Sequence, residues 1–157
     1  MPEEVPSNEG IAWLWMGEGS ARWVFKVVSD SRFGLRMWPS VEIANNDKAI
    51  IDAAAAWFRV NGIRHLRYTR KSKNRTNAAY LVRLYDFRAV KAFLEAVAPY
   101  VIGKKGEQVA ELLTTIDTVG YSQRWLSDDA AKHRIITAFA SQKRLRKLYG
   151  NNGGGDK

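Results

Sequence analysis

The sequence predicts an α+β domain in which helices cover one face of an antiparallel sheet. Three observations predict it. The hydrophobic period switches between helical and alternating in a definite order, and Gly, Pro, Asn or Asp punctuation falls at each switch. The third is size: 157 residues at 46% apolar composition can bury one core but hardly two.

The elements follow in chain order. An apolar helix through Ile11, Leu14 and Trp15 ends abruptly at Gly17-Glu18-Gly19-Ser20 and feeds directly into a strand over residues 21 to 28. In that strand Trp23, Phe25 and Val27 alternate with Arg22, Val24 and Lys26. Ser29-Asp30-Ser31-Arg32 supplies a turn. A second strand, residues 33 to 44, puts Leu35, Met37, Val41 and Ile43 on one face. Arg36, Trp38, Ser40 and Glu42 take the other, and Pro39 marks a bulge or an edge.

Asn45-Asn46-Asp47 is an N-cap signature for a helix running from Lys48 to Val60, which Asn61-Gly62 ends. Its alanines at 53 to 56 allow close approach to a sheet. A third strand at 63 to 71, a polar loop at 72 to 77 and a fourth strand at 78 to 85 follow. Asp86 caps a helix over 87 to 97, stopped by Pro99. Two further helices span 107 to 118 and 127 to about residue 148, the last opening on Ser127-Asp128-Asp129. Residues 1–150 read as one domain and the glycine-rich 151–157 as a flexible tail.

Charge then narrows the function. The formal charge is +9 and the pI about 9.9, and Arg64, Arg67, Arg70, Lys71, Lys73, Arg75 and Arg83 cluster in a stretch without Asp or Glu from 63 through 85. Clustered charge of this sign points to a polyanionic partner. The absence of cysteine excludes disulfides and thiolate metal sites, and His65 and His133 alone do not make a zinc site. No apolar run reaches the ~20 residues that span a bilayer. Met1-Pro2-Glu3-Glu4-Val5 is acidic where a signal peptide is basic, so a soluble, unprocessed intracellular protein is expected.

The uncovered face of the sheet should carry Arg22 and Lys26 on the first strand and Arg36 beside Trp38 on the second. Arg67 and Lys71 belong there on the third, with Leu66 and Tyr68 turned to the core, and Arg83 on the fourth. Six cations on four strands exceed what solvation requires, although a merely solvated basic face is the plainer alternative. Such a face suits the major groove of double-stranded DNA, some arginines reading guanine edges and the rest gripping phosphates. Arg70, Lys73 and Arg75, in or beside the loop, read as sequence-independent backbone contacts.

Chemistry points to Glu18, the only charged residue between Glu9 and Arg22. An acid at the negative end of a helix is unfavourable unless a cation or other partner compensates, and a helix-to-strand junction is where a chain would present a metal ligand. The stretch Ile11-Ala12-Trp13-Leu14-Trp15-Met16-Gly17-Glu18-Gly19 resembles the LAGLIDADG motif of homing endonucleases. Ile11 stands at the first Leu, Ala12 at Ala, Leu14 at the second Leu and Glu18 at the last acid; Gly19 closes the match. The element order agrees with that family's α-β-β-α-β-β-α core and C-terminal helices from Gly10 to about Ile116.

The resemblance implies a DNA-binding saddle and a site-specific endonuclease making double-strand breaks in a long pseudo-palindromic site. The acid motif does not recur, which implies the single-motif, homodimeric type, paired through Ala12, Trp13, Met16 and Gly17. Trp13 and Met16 depart from the family's small Gly and frequent Asp. Also implied are metal-dependent phosphodiester hydrolysis with Mg²⁺ or another divalent cation such as Mn²⁺, and Glu18 with the Gly17 carbonyl as ligands. A second Glu18 would come from the symmetry mate. Asn45 and Lys104 take the family's polar and lysine positions at the cleavage centre, though Asn45 serves equally as a helix cap and Lys105 can stand for Lys104. No small-molecule cofactor or membrane partner is implied. The alternative is a cleavage-inactive relative, an RNA maturase or regulator on the same scaffold.

Overall fold

The computed structural model describes residues 4–29, 32–71, 79–120 and 127–149. Its elements are α1 (Asn8–Glu18), β1 (Gly19–Val27), β2 (Leu35–Asn45), α2 (Lys48–Val60), β3 (Leu66–Arg70), β4 (Ala79–Leu84), α3 (Phe87–Val97), α4 (Gly103–Val119) and α5 (Asp128–Tyr149), with a 3₁₀ turn at Arg32–Gly34. The strands form one antiparallel sheet in the order β1-β2-β4-β3. This is the expected α+β architecture.

The caps explain why the helices begin where they do. The Asp47 carboxylate accepts from the Ala49 N–H at 3.0 Å, Asp86 from Ala89 at 2.7 Å and the Ser127 hydroxyl from Ala130 at 3.2 Å. α2 closes at Asn61 and Gly62, the latter at φ +67°, where a side chain would be strained. α4 starts four residues before the sequence suggests. Glycines at 103 and 106 lower helix propensity, yet Gly106 lets the first turn close on Val101, whose carbonyl oxygen would lie 3.2 Å from a Cβ there.

Pro39 lies within β2, and the pairing with β1 runs through it without a bulge. Trp23, its partner, sends its N–H away from β2 to Gln142 of α5 at 2.7 Å, so the pair exchanges no ladder bonds. The Pro39 nitrogen therefore faces a side where β4, paired with β2 only from Val41 to Asn45, has already ended. It is a local edge, as proline requires.

One hydrophobic cluster runs from Ile11 to Leu145. At its centre Phe93 of α3 meets Trp15 of α1 at 6.0 Å between ring centroids, and Trp57 and Phe58 of α2 at 5.9 and 5.6 Å. Each fully buried side chain of this size contributes about 1.5–3 kcal/mol relative to exposure, and together they lock α1 against α2 and α3. Gly19, Ala21, Trp23 and Phe25 of β1 share the helix-covered face with Ile43, Val41, Pro39 and Met37 of β2, as the pairing dictates. No described helix covers the other face.

Candidate functional site

α1 carries the candidate acid to the start of the sheet. Ile11, Ala12 and Trp15 are fully buried, whereas Gly10, Trp13, Gly17 and Glu18 are exposed and Leu14 and Met16 half-buried. The outer stripe is thus Gly10, Trp13, Leu14 and Gly17, spaced three and four apart. Ala12, expected at a dimer contact, belongs instead to the core, one residue out of phase with that stripe. Trp13 stands 55% exposed, and the position of a Cβ on Gly17 has no neighbour within 4 Å.

Glu18 is the last residue of α1, and its carboxylate makes no hydrogen bond or ion pair with another described residue. The Trp15 carbonyl is closed by the Gly19 N–H, leaving those of Gly17 and Glu18 among the helix-end acceptors that lack intrahelical donors. Trp15 itself is tied to the junction, its indole N–H reaching the Ser20 carbonyl at 3.3 Å.

A cation does compensate this helix end, and it is Lys105. From the first turn of α4 its ammonium donates to the Gly19 carbonyl and sits 4.9 Å from the Trp15 ring centroid. Burial pushes its pKa below the ordinary lysine value of 10.5. Lys104, its neighbour, is exposed on the same turn. Of the two lysines weighed from the sequence, 105 is therefore the one at the Glu18–Gly19 junction.

Asn45 ends β2, two residues past Ile43, the partner of Gly19. Its side-chain oxygen accepts from the Asp47 N–H at 2.7 Å, while Asp47 caps α2. Asn45 is thus half-buried in a turn that orders the cap, and is not the cap itself.

The uncovered face carries Arg22 and Lys26 of β1, Arg36 and Trp38 of β2, and Arg83 of β4, as the alternation implies. β3 differs. Leu66 pairs with Arg83, and Tyr68 with Leu81, so Leu66, Tyr68 and Arg70 occupy the open face. Arg67 pairs with Val82 and turns to the helix side, where it bonds Asp52 of α2. A one-residue change of phase inverts every side chain of a strand, and β3 has no strong apolar alternation to fix it. Arg67 is accordingly not an open-face residue, whereas Arg70, read as a loop contact, is; Lys71 lies past the last paired residue, and no pairing assigns it a face. Lys73 and Arg75 lie outside the described residues.

Two depressions mark the open face. Ser20, Arg22, Ser40, Glu42, Arg70 and Arg83 line one of about 520 Å³. The other, about 430 Å³, lies between Arg36, Trp38, Leu66, Arg83 and Tyr85. Sequence reasoning put Tyr68 in the core and left Glu42 without a role. Both flank Arg83: Glu42 accepts from its Nε at 2.9 Å and Nη2 at 2.5 Å, and the guanidinium lies 5.0 Å from the Tyr68 ring centroid. Burial, with Glu42 next, raises the Tyr68 pKa above 10.0.

Among the described residues no three His, Cys, Asp or Glu side chains gather as a metal cluster, and no helix is long and apolar enough to cross a membrane.

No protein-family model matches the sequence, and no curated protein matches it significantly. Solved structures do match. The homing endonuclease I-CvuI, in complex with DNA, superposes with a TM-score of 0.66 at 13% identity, over 90% of this chain and 80% of that one. The LAGLIDADG homing endonuclease I-SmaMI, bound to cleaved DNA, gives 0.66 at 14% identity over 96% of this chain. This chain spans 50% of its length. The archaeal intron-encoded homing endonuclease I-Vdi141I, complexed with DNA, gives 0.62 at 19% identity, over 90% and 92% of the two chains. The chain has the LAGLIDADG homing endonuclease fold, as the motif implied.

Proposed function

We propose that this protein is a single-motif LAGLIDADG homing endonuclease: a homodimer that binds a long, nearly palindromic duplex and cuts both strands by metal-dependent phosphodiester hydrolysis. The observation that carries this reading is Glu18, a carboxylate without a partner among the described residues, held at a glycine junction where α1 meets a basic sheet face. The DNA complexes among its structural neighbours support the substrate class.

The residues fit a hard divalent cation. Glu18 and the Gly17 carbonyl are oxygen donors of the kind Mg²⁺ takes, and similar folds have been solved in the presence of Mg and of calcium ions. One chain offers too few ligands, so a second Glu18 from a symmetry mate is part of the proposal. When bound, the metal would activate water and offset charge developing on the phosphate. Lys105 holds the Gly19 carbonyl and so fixes the Gly19–Ser20 peptide, one residue past Glu18. Arg22, Lys26, Arg36, Arg70 and Arg83 bind and orient the duplex.

The test is a library of long duplexes incubated with the protein and Mg²⁺. Wild type should yield breaks at one site, and Glu18→Gln should abolish cutting while binding survives. Tight, specific binding by wild type without nicking in any divalent metal refutes the nuclease assignment. It favours the second reading, a cleavage-inactive DNA- or RNA-binding relative. One observation leans that way: Trp13 stands on the outer stripe of α1, where a bulky side chain would hold two helices, and hence two Glu18 carboxylates, farther apart.

A further inference from the structure

Glu42 is the only acidic residue in the four strands. It stands on the open face between Arg22, Arg70 and Arg83, where a polyanion would dock, and there it subtracts from any sequence-independent attraction. Its side chain is 20% exposed, so it is not a solvated bystander.

Its two oxygens are used unequally. Oε2 accepts from Arg83 Nε at 2.9 Å, from Arg83 Nη2 at 2.5 Å and from the Tyr68 hydroxyl at 3.2 Å. Among the described residues Oε1 has only Arg70 Nη2, at 3.9 Å, beyond hydrogen-bond reach. The carboxylate thus clamps one edge of the Arg83 guanidinium, with the Tyr68 ring beside it, and keeps an unspent acceptor in the 520 Å³ depression. No other described residue takes a hydrogen bond from the remaining Arg83 donors, which are left for another partner.

In the major groove guanine presents two acceptors and cytosine an exocyclic amine donor, which arginine and glutamate respectively match. We infer that Glu42 is a specificity-determining residue that both orients Arg83 and accepts, through Oε1, a hydrogen bond from a cytosine N4 amine, so that the pair reads G·C-containing steps. This rests on the DNA-binding reading above. Glu42 therefore exchanges general affinity for discrimination.

The experiment is enrichment of bound sequences from a randomised duplex pool in EDTA, where nothing is cut, with wild type, Glu42→Gln, Tyr68→Phe and Arg83→Ala. Glu42→Gln should lose about tenfold preference at one G·C position or its neighbour. The other positions should be unchanged, and affinity for unrelated duplex should rise as the negative charge goes. Arg83→Ala should lose preference at the same place, and Tyr68→Phe, which removes only a hydroxyl, should weaken it in part. A merely structural role would lower binding at all positions together. Should Glu42→Gln fold poorly, Tyr68→Phe carries the test alone. A wild type that selects a site, with both variants selecting it by an identical profile, overturns the inference about Glu42. A wild type that enriches no sequence overturns the DNA reading and this inference with it.

Discussion

The indole of Trp15 fills the space that a side chain at residue 19 would need. A Cβ on Gly19 would come within 2.7 Å of the Trp15 carbonyl oxygen and closer still to the ring. Gly19 has φ −113°, an extended conformation open to any residue, so the requirement is space and not backbone freedom. Forcing one methyl into a fully packed site costs about 1–3 kcal/mol. Gly19→Ala should lower urea-unfolding stability by that amount, and because Glu18 is the adjacent residue it should also slow cleavage. Stability within about 0.5 kcal/mol of wild type, the range of ordinary surface changes, would show that the junction is not tightly held.

Lys105 and Lys104 should separate cleanly. Lys105 is half-buried against Trp15 and the Gly19 carbonyl, while Lys104 is exposed. Lys105→Met should slow single-turnover cleavage far more than Lys104→Met, with DNA binding kept in both. Equal effects would remove Lys105 from the site. Its lowered pKa adds a linked expectation. The unfolded chain holds the proton up to about 10.5 and the folded chain releases it earlier, so raising the pH through that interval relieves the burial cost and adds stability. In thermal melts just below pH 10.5, wild type should gain relative to Lys105→Met as pH rises.

The outer stripe of α1 predicts the quaternary state. Trp13 projects between Gly10, Leu14 and Gly17 with more than half its surface bare. Trp13→Glu would put a charge into a paired face, so sedimentation should shift from dimer to monomer while thermal stability of the isolated fold holds. Wild type that sediments as a monomer, free and on DNA, would refute the pairing.

What the sequence made legible depended on redundancy. α2 and α3 carry a capping aspartate, a helical apolar stripe and a stop signal, and their limits match at Lys48–Val60 and Phe87–Val97. β1 and β2 alternate strongly, so Arg22, Lys26, Arg36 and Trp38 could be assigned a face. β3 holds only Leu-Arg-Tyr-Thr-Arg, in which the phase must come from its neighbour β4, a long-range pairing that local pattern does not encode. Glu42 was visible on the open face, but its bonds to Arg83 and Tyr68 join three strands. Lys105 was ambiguous with Lys104 because both stand in one turn, and which one reaches Gly19 depends on how α4 docks.

Arg67 and Arg83 provide the sharpest check of that corrected phase. Arg83 faces the open side, whereas Arg67 is engaged by Asp52 on the helix side. Arg83→Ala should cost about 1–3 kcal/mol of discrimination at one base pair, and Arg67→Ala should leave the preference profile intact in the same titrations. Asp52 reports the Arg67 contact independently. Hydrogen bonds from Lys48 first, and then Arg67, hold its pKa below 3.8. A carboxylate depressed in the folded state contributes stability above its unfolded pKa and loses it as pH falls through the folded one. The melting advantage of wild type over Asp52→Asn should therefore be full at neutral pH, shrink below about pH 4 and be small in high salt, because the pair is open to solvent. Arg67→Ala should reduce that advantage. If instead it changes base preference and leaves the acid response untouched, β3 presents Arg67 to the DNA and the pairing of Leu66 with Arg83 is wrong.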